Sequence, residues 1–483
     1  MYLGFAVTGI LNIAVVAILA RQLTPAEFGI VAMAKVSLSL LTVIGAEGVN
    51  EFVIYDRQDD SDLNAKAAFW MDMSLAALSC LIGFFFLQPI TNFYNEPQLY
   101  WVLFALLIKY FLDTLSKVPD ALLKRQLLFK KIGIRNTILS LFSGLLSIVM
   151  AFLDYGVWSL VIPKLISAPI KAAFTFSMVN WNPGFWPLFN RWKRIFKYSS
   201  HVIGNTITTF FLREGDTLLI GKFLGSSALG VYNLAWQGAN LFVGITTGVV
   251  NKVALPTLST ISGDLNKVKS GLVRMMRVIS IMTFPIFIIL FVLAEEFVFT
   301  LYGPNWSDSV IILRILIIYA IRFSVGSPAG VVFKAIGRPD VSFKLGLVIL
   351  PFYIAGIYLG SHYGIIGVAI GVTFVRTVFG FITFGVLAKV LKTTYSEIMR
   401  PLYPSFMVAV ITGLIIWALK LVIGNYVDLK PMISLLLFGS LSVFVFVGLV
   451  RVYFQSIGSE LVNLVKPVAG KYTLVFEKII VMK

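Results

Sequence analysis

One cysteine and two histidines in 483 residues set the first limits. Cys80 stands alone in an apolar run, which excludes a disulfide framework. His201 and His362 lie far apart, and no Cys or His spacing suits a metal, so no metal site is expected. Charge is scarce too: only 13% of residues are Asp, Glu, Lys or Arg, about half of what a soluble domain carries. A Walker A loop is missing, because Gly215 to Gly221-Lys222 has the wrong spacing and no following Ser or Thr. No GxSxG nucleophile elbow occurs. The gaps on the basic-poor side are too short to fold a catalytic domain. These absences argue against an enzyme and against ATP as a direct energy source. The expected cofactor list is empty, apart from H+ or Na+ as a coupling ion.

What is present is apolar. Hydrophobic residues make up 58% of the chain, in successive runs of about 20, each long enough to cross a hydrocarbon core. We read an all-α integral membrane protein with about 14 transmembrane helices: 2–20, 28–50, 65–88, 99–116, 133–153, 156–178, 199–221, 229–250, 275–298, 310–332, 342–361, 364–388, 402–423 and 432–453. The first run starts almost at Met1 without a basic n-region, which argues against a cleavable signal peptide. Net charge is +17. In a soluble protein this would point to nucleic acid, but here the excess sits in alternate gaps. One set of gaps holds clusters such as Lys124, Arg125, Lys130 and Lys131, or Arg191, Lys193, Arg194 and Lys197. The other set holds only Arg21, Lys222, Lys420 and Lys430. The rich side is predicted to be cytoplasmic, with both termini on it. Nucleic acid is therefore not an expected partner, whereas membrane lipid is.

The chain also repeats itself. Ala20-Arg21-Gln22-Leu23 through Phe28-Gly29-Ile30 resembles Gly221-Lys222-Phe223-Leu224 through Leu229-Gly230-Val231, offset by 201. Phe93-Tyr94 with Pro97 matches Leu301-Tyr302 with Pro304, and Tyr155-Gly156-Val157 matches Tyr363-Gly364-Ile365, offset by 208. Leu123-Lys124 with Phe129-Lys130 pairs with Phe333-Lys334 and Phe343-Lys344. The unit is six helices, an even number, so both copies share one orientation. That predicts two six-helix lobes related by a parallel pseudo-two-fold repeat, plus two C-terminal helices. The expected domains are an N-lobe at 1–180, a cytoplasmic linker at 181–198 and a C-lobe at 199–390. Helices 13 and 14 fill 391–453, and 454–483 forms a basic amphipathic cytoplasmic tail. Trp181, Trp186 and Trp192 in the linker are expected to anchor at the interface.

Several spans carry charge well inside. Lys35, Lys109, Lys164, Arg213, Arg322 and Arg376 come from six different helices. Each costs about 2.5–3.5 kcal/mol if left in lipid. Such residues must face a wet cavity or pair with one another. A mainly cationic cavity favours an anionic cargo, a diphosphate or an acidic sugar. Asp113, Glu214 and Asp216 are candidates for carrying a coupling ion. The blander alternative is mutual neutralisation: Lys109 with Asp113 at i,i+4, and Arg213 with Asp216 at i,i+3. Glu47 and Asp72 are further acidic residues inside spans.

Several stretches resemble a known family. They are Ile18 to Gly29, Phe93-Tyr94-Asn95-Glu96-Pro97, Ala121 to Lys131, Asp216 to Gly225 with Ala228 to Tyr232, Ala335 to Asp340 and Tyr363 to Gly367. In this order they resemble the Wzx-type flippases for O-antigen, capsule and exopolysaccharide units, within the MOP superfamily. The resemblance runs over roughly 15–390. It implies a bacterial inner-membrane protein that moves an undecaprenyl-diphosphate-linked oligosaccharide from the cytoplasmic to the periplasmic leaflet by alternating access. It also implies polysaccharide polymerase and chain-length proteins as partners, and a basic segment before the first helix, which the sequence does not show. No motif assigns contacts to sugar or diphosphate. The rival readings are a lipid II flippase, a multidrug extruder of the same superfamily, and a non-transporting scaffold of a polysaccharide complex.

Overall fold

The computed structural model describes residues 2–42, 48–56, 60–427 and 429–453. Among them the secondary structure is helical throughout. The chain divides into two compact units, Met1–Asn233 and Leu234–Lys483. The first unit opens with α1 (Tyr2–Gln22), α2 (Pro25–Thr42) and the short α3 (Gly48–Tyr55). It continues with α4 (Ser61–Tyr94), α5 (Leu99–Arg125), α6 (Phe129–Phe152) and α7 (Trp158–Met178). Helix α8 (Trp192–Thr260) runs from the first unit into the second. The second unit adds α9 (Leu265–Val292), α10 (Ala294–Leu301), α11 (Asp308–Ala335), α12 (Pro339–Ser361) and α13 (Gly364–Val390). It ends with α14 (Tyr395–Met399), α15 (Tyr403–Gly424) and α16 (Pro431–Tyr453).

Twelve helices among the described residues are long and apolar enough to cross a membrane, and Leu11–Gln22 is a shorter apolar one. Large apolar side chains such as Phe85 and Phe444, each 75% exposed, cover their outer faces. In water such a surface would aggregate; in a bilayer it is the lipid-facing side.

The expected spans differ from the helices in places. Of the predicted span 28–50, α2 covers the part up to Thr42 and α3 begins at Gly48, and residues 43–47 lie outside the described residues. The spans predicted at 199–221 and 229–250 are the two arms of α8, interrupted at Gly225, where φ is +82°. Only glycine adopts that backbone without strain. The arms outrun the predicted ends because polar residues beyond the apolar run continue the helix. Glu47 and the tail 454–483 lie outside the described residues.

Local chemistry explains the corners. Thr24 and Glu27 form a reciprocal capping box: the Thr24 N–H donates to Glu27 Oε2 at 2.7 Å, and the Glu27 N–H to Thr24 Oγ1 at 3.4 Å. Pro25, at the first helical position, loses no hydrogen bond there. Asp264 caps α9, accepting from the N–H groups of Asn266 and Lys267. Those backbone donors hold its carboxyl below the usual carboxylate range.

The repeat is visible in matching turns. At the end of α5, Leu127 has φ +57°, and the N–H of Leu128 donates to Leu123 O. At the end of α11, Gly337 has φ +71°, and the N–H of Arg338 donates to Phe333 O. Both are Schellman terminations, in which the last carbonyls find donors just past the helix.

Within the first unit, α4 packs on α5, and α7 lies against both α5 and α6, with α1 on α6 and α2 on α5. Within the second, α9, α11, α12 and α13 pack together, and α15 and α16 lie against α9 and α10. The α12–α13 hairpin is closed by glycines. A Cβ on Gly371 would stand 2.3 Å from Gly356 O, and one on Gly360 would stand 2.5 Å from Gly367 O. Two GxxxG runs thus face each other, which lets the backbones touch where no hydrophobic effect drives association.

Candidate functional site

The six predicted cations fall into two groups, one in each unit. Lys35, Lys109, Lys164 and Arg213 belong to the first; Arg322 and Arg376 belong to the second.

In the first unit, α2 is buried along one continuous stretch. Phe28 to Ala34 are buried, and so are Val36 and Ser37. Lys35 is the exposed residue among them. An ammonium placed there keeps its hydration only if the space it enters is wet. Lys164 of α7 lies within electrostatic reach of Lys35 and Lys109, and Lys35 of Glu214. Four helices thus bring three lysines and a glutamate together. Lys109 also pairs with Asp113 one turn along α5, so the i,i+4 neutralisation expected for these two is observed. Arg213, exposed on α8, precedes Glu214. Asp216 is buried; Tyr232 Oη donates to it at 2.9 Å and the Thr217 N–H at 2.9 Å. The three lysines against Asp113 and Glu214 leave a positive excess in the cluster, which suits an anion.

In the second unit, Arg376 of α13 is buried. Its guanidinium carbon lies 4.6 Å from the Tyr353 ring, 4.9 Å from Tyr319 and 5.7 Å from Trp236. Trp236 and Tyr319 stack on each other at 5.3 Å. Cation–π contact of this kind strengthens when water is excluded. Arg322 of α11 donates from Nη1 to the Arg376 carbonyl at 2.8 Å. Its guanidinium fits only because residue 380 is glycine: a Cβ there would meet Arg322 Cζ and Nε at 2.2 Å. The structure therefore brings Arg322 and Arg376 together, although they are 54 residues apart.

Sequence reading missed the rings around Arg376 and the glycine beneath Arg322. Tyr319 and Arg322 are i,i+3 on one helix, a weak signal that only became meaningful once α12 placed Tyr353 beside them. The linker tryptophans separate. Trp181 stacks on Phe176 and donates to Asp62 at 2.9 Å, Trp192 donates to Pro187 O at 2.8 Å, and Trp186 is exposed. Near them, buried Arg135 pairs with Asp120, donates to Thr175 Oγ1 at 2.7 Å, and has Lys171 across Asp120 at 3.5 Å. Such a network, satisfied on every side, reads as structural.

Known proteins resemble the chain in sequence and in fold. The lipopolysaccharide biosynthesis protein WzxC of Escherichia coli (strain K12) is 23% identical over 410 residues, covering 84% of this chain and 83% of that one. The succinoglycan biosynthesis transport protein ExoT of Rhizobium meliloti (strain 1021) is 24% identical over 306 residues, 63% of this chain and 62% of that one. Among solved structures, the lipid II flippase MurJ in an inward closed conformation superposes with a TM-score of 0.74. It has 16% identity and covers 92% of this chain and 97% of that one. That likeness establishes a transporter fold of the MurJ kind. Residues 18–311, more than half of the chain, match the polysaccharide biosynthesis protein family, and the chain belongs to it.

Proposed function

We propose that this protein is a flippase. It carries an undecaprenyl-diphosphate-linked oligosaccharide from the cytoplasmic to the periplasmic leaflet of a bacterial inner membrane, by alternating access. In this reading the chain crosses the membrane 14 times with both termini in the cytoplasm, and polymerase and chain-length proteins take up its product. The observation that carries the proposal is the convergence of Lys35, Lys109 and Lys164, with Lys35 exposed within the stretch Phe28 to Ser37 that is otherwise buried. A cation set of that kind has no use in a scaffold and repels cationic drugs. Its charge excess suits an anionic group such as a diphosphate. Arg213 on α8, and the Arg322 and Arg376 pair of the second unit, are further cations suited to anionic or hydroxyl groups, since a planar guanidinium recognises them through paired donors. The family match and the likeness to a succinoglycan biosynthesis transport protein support polysaccharide units over lipid II, since the lipid II flippase is alike in fold. An ion gradient supplies the driving force, with Asp113, Glu214 and Asp216 as the carboxylates that the sequence brings forward.

The test is reconstitution in proteoliposomes with a fluorescent undecaprenyl-diphosphate oligosaccharide. An external sugar-modifying enzyme reports which leaflet holds it. Wild-type flipping, lost in Lys35→Gln/Lys164→Gln and in Arg322→Gln/Arg376→Gln, is expected. A wild type that moves no diphosphate lipid under a proton or a sodium gradient rejects the function. Full activity of both double variants rejects the site.

A further inference from the structure

Carboxylates inside the membrane helices have partners within hydrogen-bonding or ion-pairing distance in most cases. Asp113 has Lys109, Asp120 has Arg135, and Asp216 has Tyr232. Glu296 of α10 pairs with Lys420 at 2.6 Å. Asp72 of α4 has an ion-pair partner at the outer limit of that distance and no hydrogen bond. It is 1% exposed, and neither of its carboxylate oxygens has a hydrogen-bond partner among the described residues. Lys117 Nζ stands 4.0 Å from Oδ1, beyond hydrogen-bond length. The same ammonium lies 4.6 Å over the Tyr110 ring.

A buried carboxylate that accepts no hydrogen bond is costly when ionised and cheap when protonated. Its charge state then depends on how closely one cation approaches. The charged and titratable groups acting at this place come from α5: Lys117 on Asp72, and Tyr110 beside both. Cys80 of α4 also acts on Tyr110, and its thiol donates to Leu107 O at 3.4 Å. Helices α2 and α3 also pack on α4. The charge that α2 carries in its span, Lys35, is directed to Lys109 and Glu214, and the acidic side chain of α3, Glu51, is exposed.

Position links Asp72 to the cation cluster. Lys109, Asp113 and Lys117 follow one another at four-residue steps on α5 and share one face. One end of this stripe belongs to the three-lysine cluster and the other reaches Asp72. They are eight residues apart, about 12 Å along the helix. A rigid helix that moves with bound diphosphate at Lys109 carries Lys117 with it, towards or away from Asp72. Sodium is a poor occupant, because the neighbour of Asp72 is already a cation.

We propose that Asp72 is the proton-carrying group that couples transport to the proton gradient. It is paired with Lys117 when deprotonated and neutral when Lys117 is drawn away. The proton comes from water on the outer side, forms the O–H bond on Asp72, and leaves to water on the inner side, while the lipid crosses in the opposite direction. The inference rests on the flippase reading above.

Wild type, Asp72→Asn and Asp72→Glu are compared in proteoliposomes carrying the fluorescent undecaprenyl-diphosphate oligosaccharide and a pH dye inside. A proton gradient, a sodium gradient or none is imposed. Asp72→Asn is expected to lose both the stimulation by a proton gradient and the proton uptake that accompanies substrate. Asp72→Glu is expected to keep both, with a displaced pH profile. Proton stimulation that survives in Asp72→Asn overturns the assignment. So does wild-type stimulation by sodium alone, or a pH profile in Asp72→Glu that coincides with wild type. If Asp72→Asn fails to fold, as judged by its elution and melting in detergent, the Asp72→Glu profile decides. A wild type that flips nothing under any gradient fails at the earlier step and rejects the flippase reading itself.

Discussion

The guanidinium of Arg376 lies against three aromatic rings, and Arg322 reaches its carbonyl from α11. Both depend on small features of their neighbours. Gly380→Ala would ordinarily favour a helix by about 1 kcal/mol. Here the new Cβ would strike the Arg322 guanidinium, so the arginine must turn away. We expect reduced flipping with expression unchanged. The double variant Gly380→Ala/Arg322→Ala should be no worse than Arg322→Ala alone, a coupling of about 1–3 kcal/mol. Additive losses in that cycle would show that Gly380 acts elsewhere. Arg135 makes the opposite case. Arg135→Met removes the principal partner of Asp120 and leaves Lys171 at 3.5 Å. Breaking one side of a buried pair costs about 3–5 kcal/mol. The thermal midpoint in detergent should fall, and Arg135→Met/Asp120→Leu should recover much of the loss; a midpoint that does not move would mean the network is not structural.

At the scale of elements, the two copies of one turn lean on each other. A Cβ on Gly29 would stand 1.8 Å from Ser226 O, and one on Gly230 would stand 1.8 Å from Pro25 O. Gly29 and Gly230 are equivalent in the repeat, and so are Pro25 and Ser226, at the same offset of 201. The contact is therefore self-complementary: each copy offers a glycine to the backbone of the other. Nearby, Lys222 donates to Phe93 O at 2.6 Å and lies over the Phe93 ring. Backbone atoms cannot yield as side chains do, so Gly29→Ala and Gly230→Ala should each force the turns apart. Overpacking of this kind costs about 1–3 kcal/mol. Since one separation relieves both clashes, the double variant should melt close to the worse single one. Strict additivity would argue against a shared contact.

For the whole molecule, orientation is the property that loop charge predicts and helix packing leaves open. Asn425 lies in a gap of the basic-poor set and Arg125 in a gap of the basic-rich set. With Cys80 replaced by serine, a single cysteine at 425 should react with an impermeant thiol reagent in intact cells. One at 125 should react only after lysis. The reverse pattern would invert the topology and, with it, the direction of the proposed transport.

Much of this was legible in the chain itself. Apolar runs of membrane length, capping at Thr24-Pro25-Ala26-Glu27 and the recurring turns are written in local sequence, because helix formation and insertion depend on neighbours a few residues away. The paired state of Lys109 and Asp113 was legible for the same reason, since i,i+4 residues meet in any helix. Contacts between distant helices were not. Nothing local to Arg376 announces Tyr353 and Trp236, and nothing near Gly380 announces a guanidinium from α11. Asp72 looked like one acidic residue among several inside the spans. Only the packing of α4 on α5 separated it from the rest, by burying both of its oxygens and holding Lys117 just out of reach. The sequence by itself determined a membrane protein built from a repeated set of apolar helices with charge inside it. Tertiary structure decided which of those charges meet, because helix faces far apart in the chain come together only when the bundle closes.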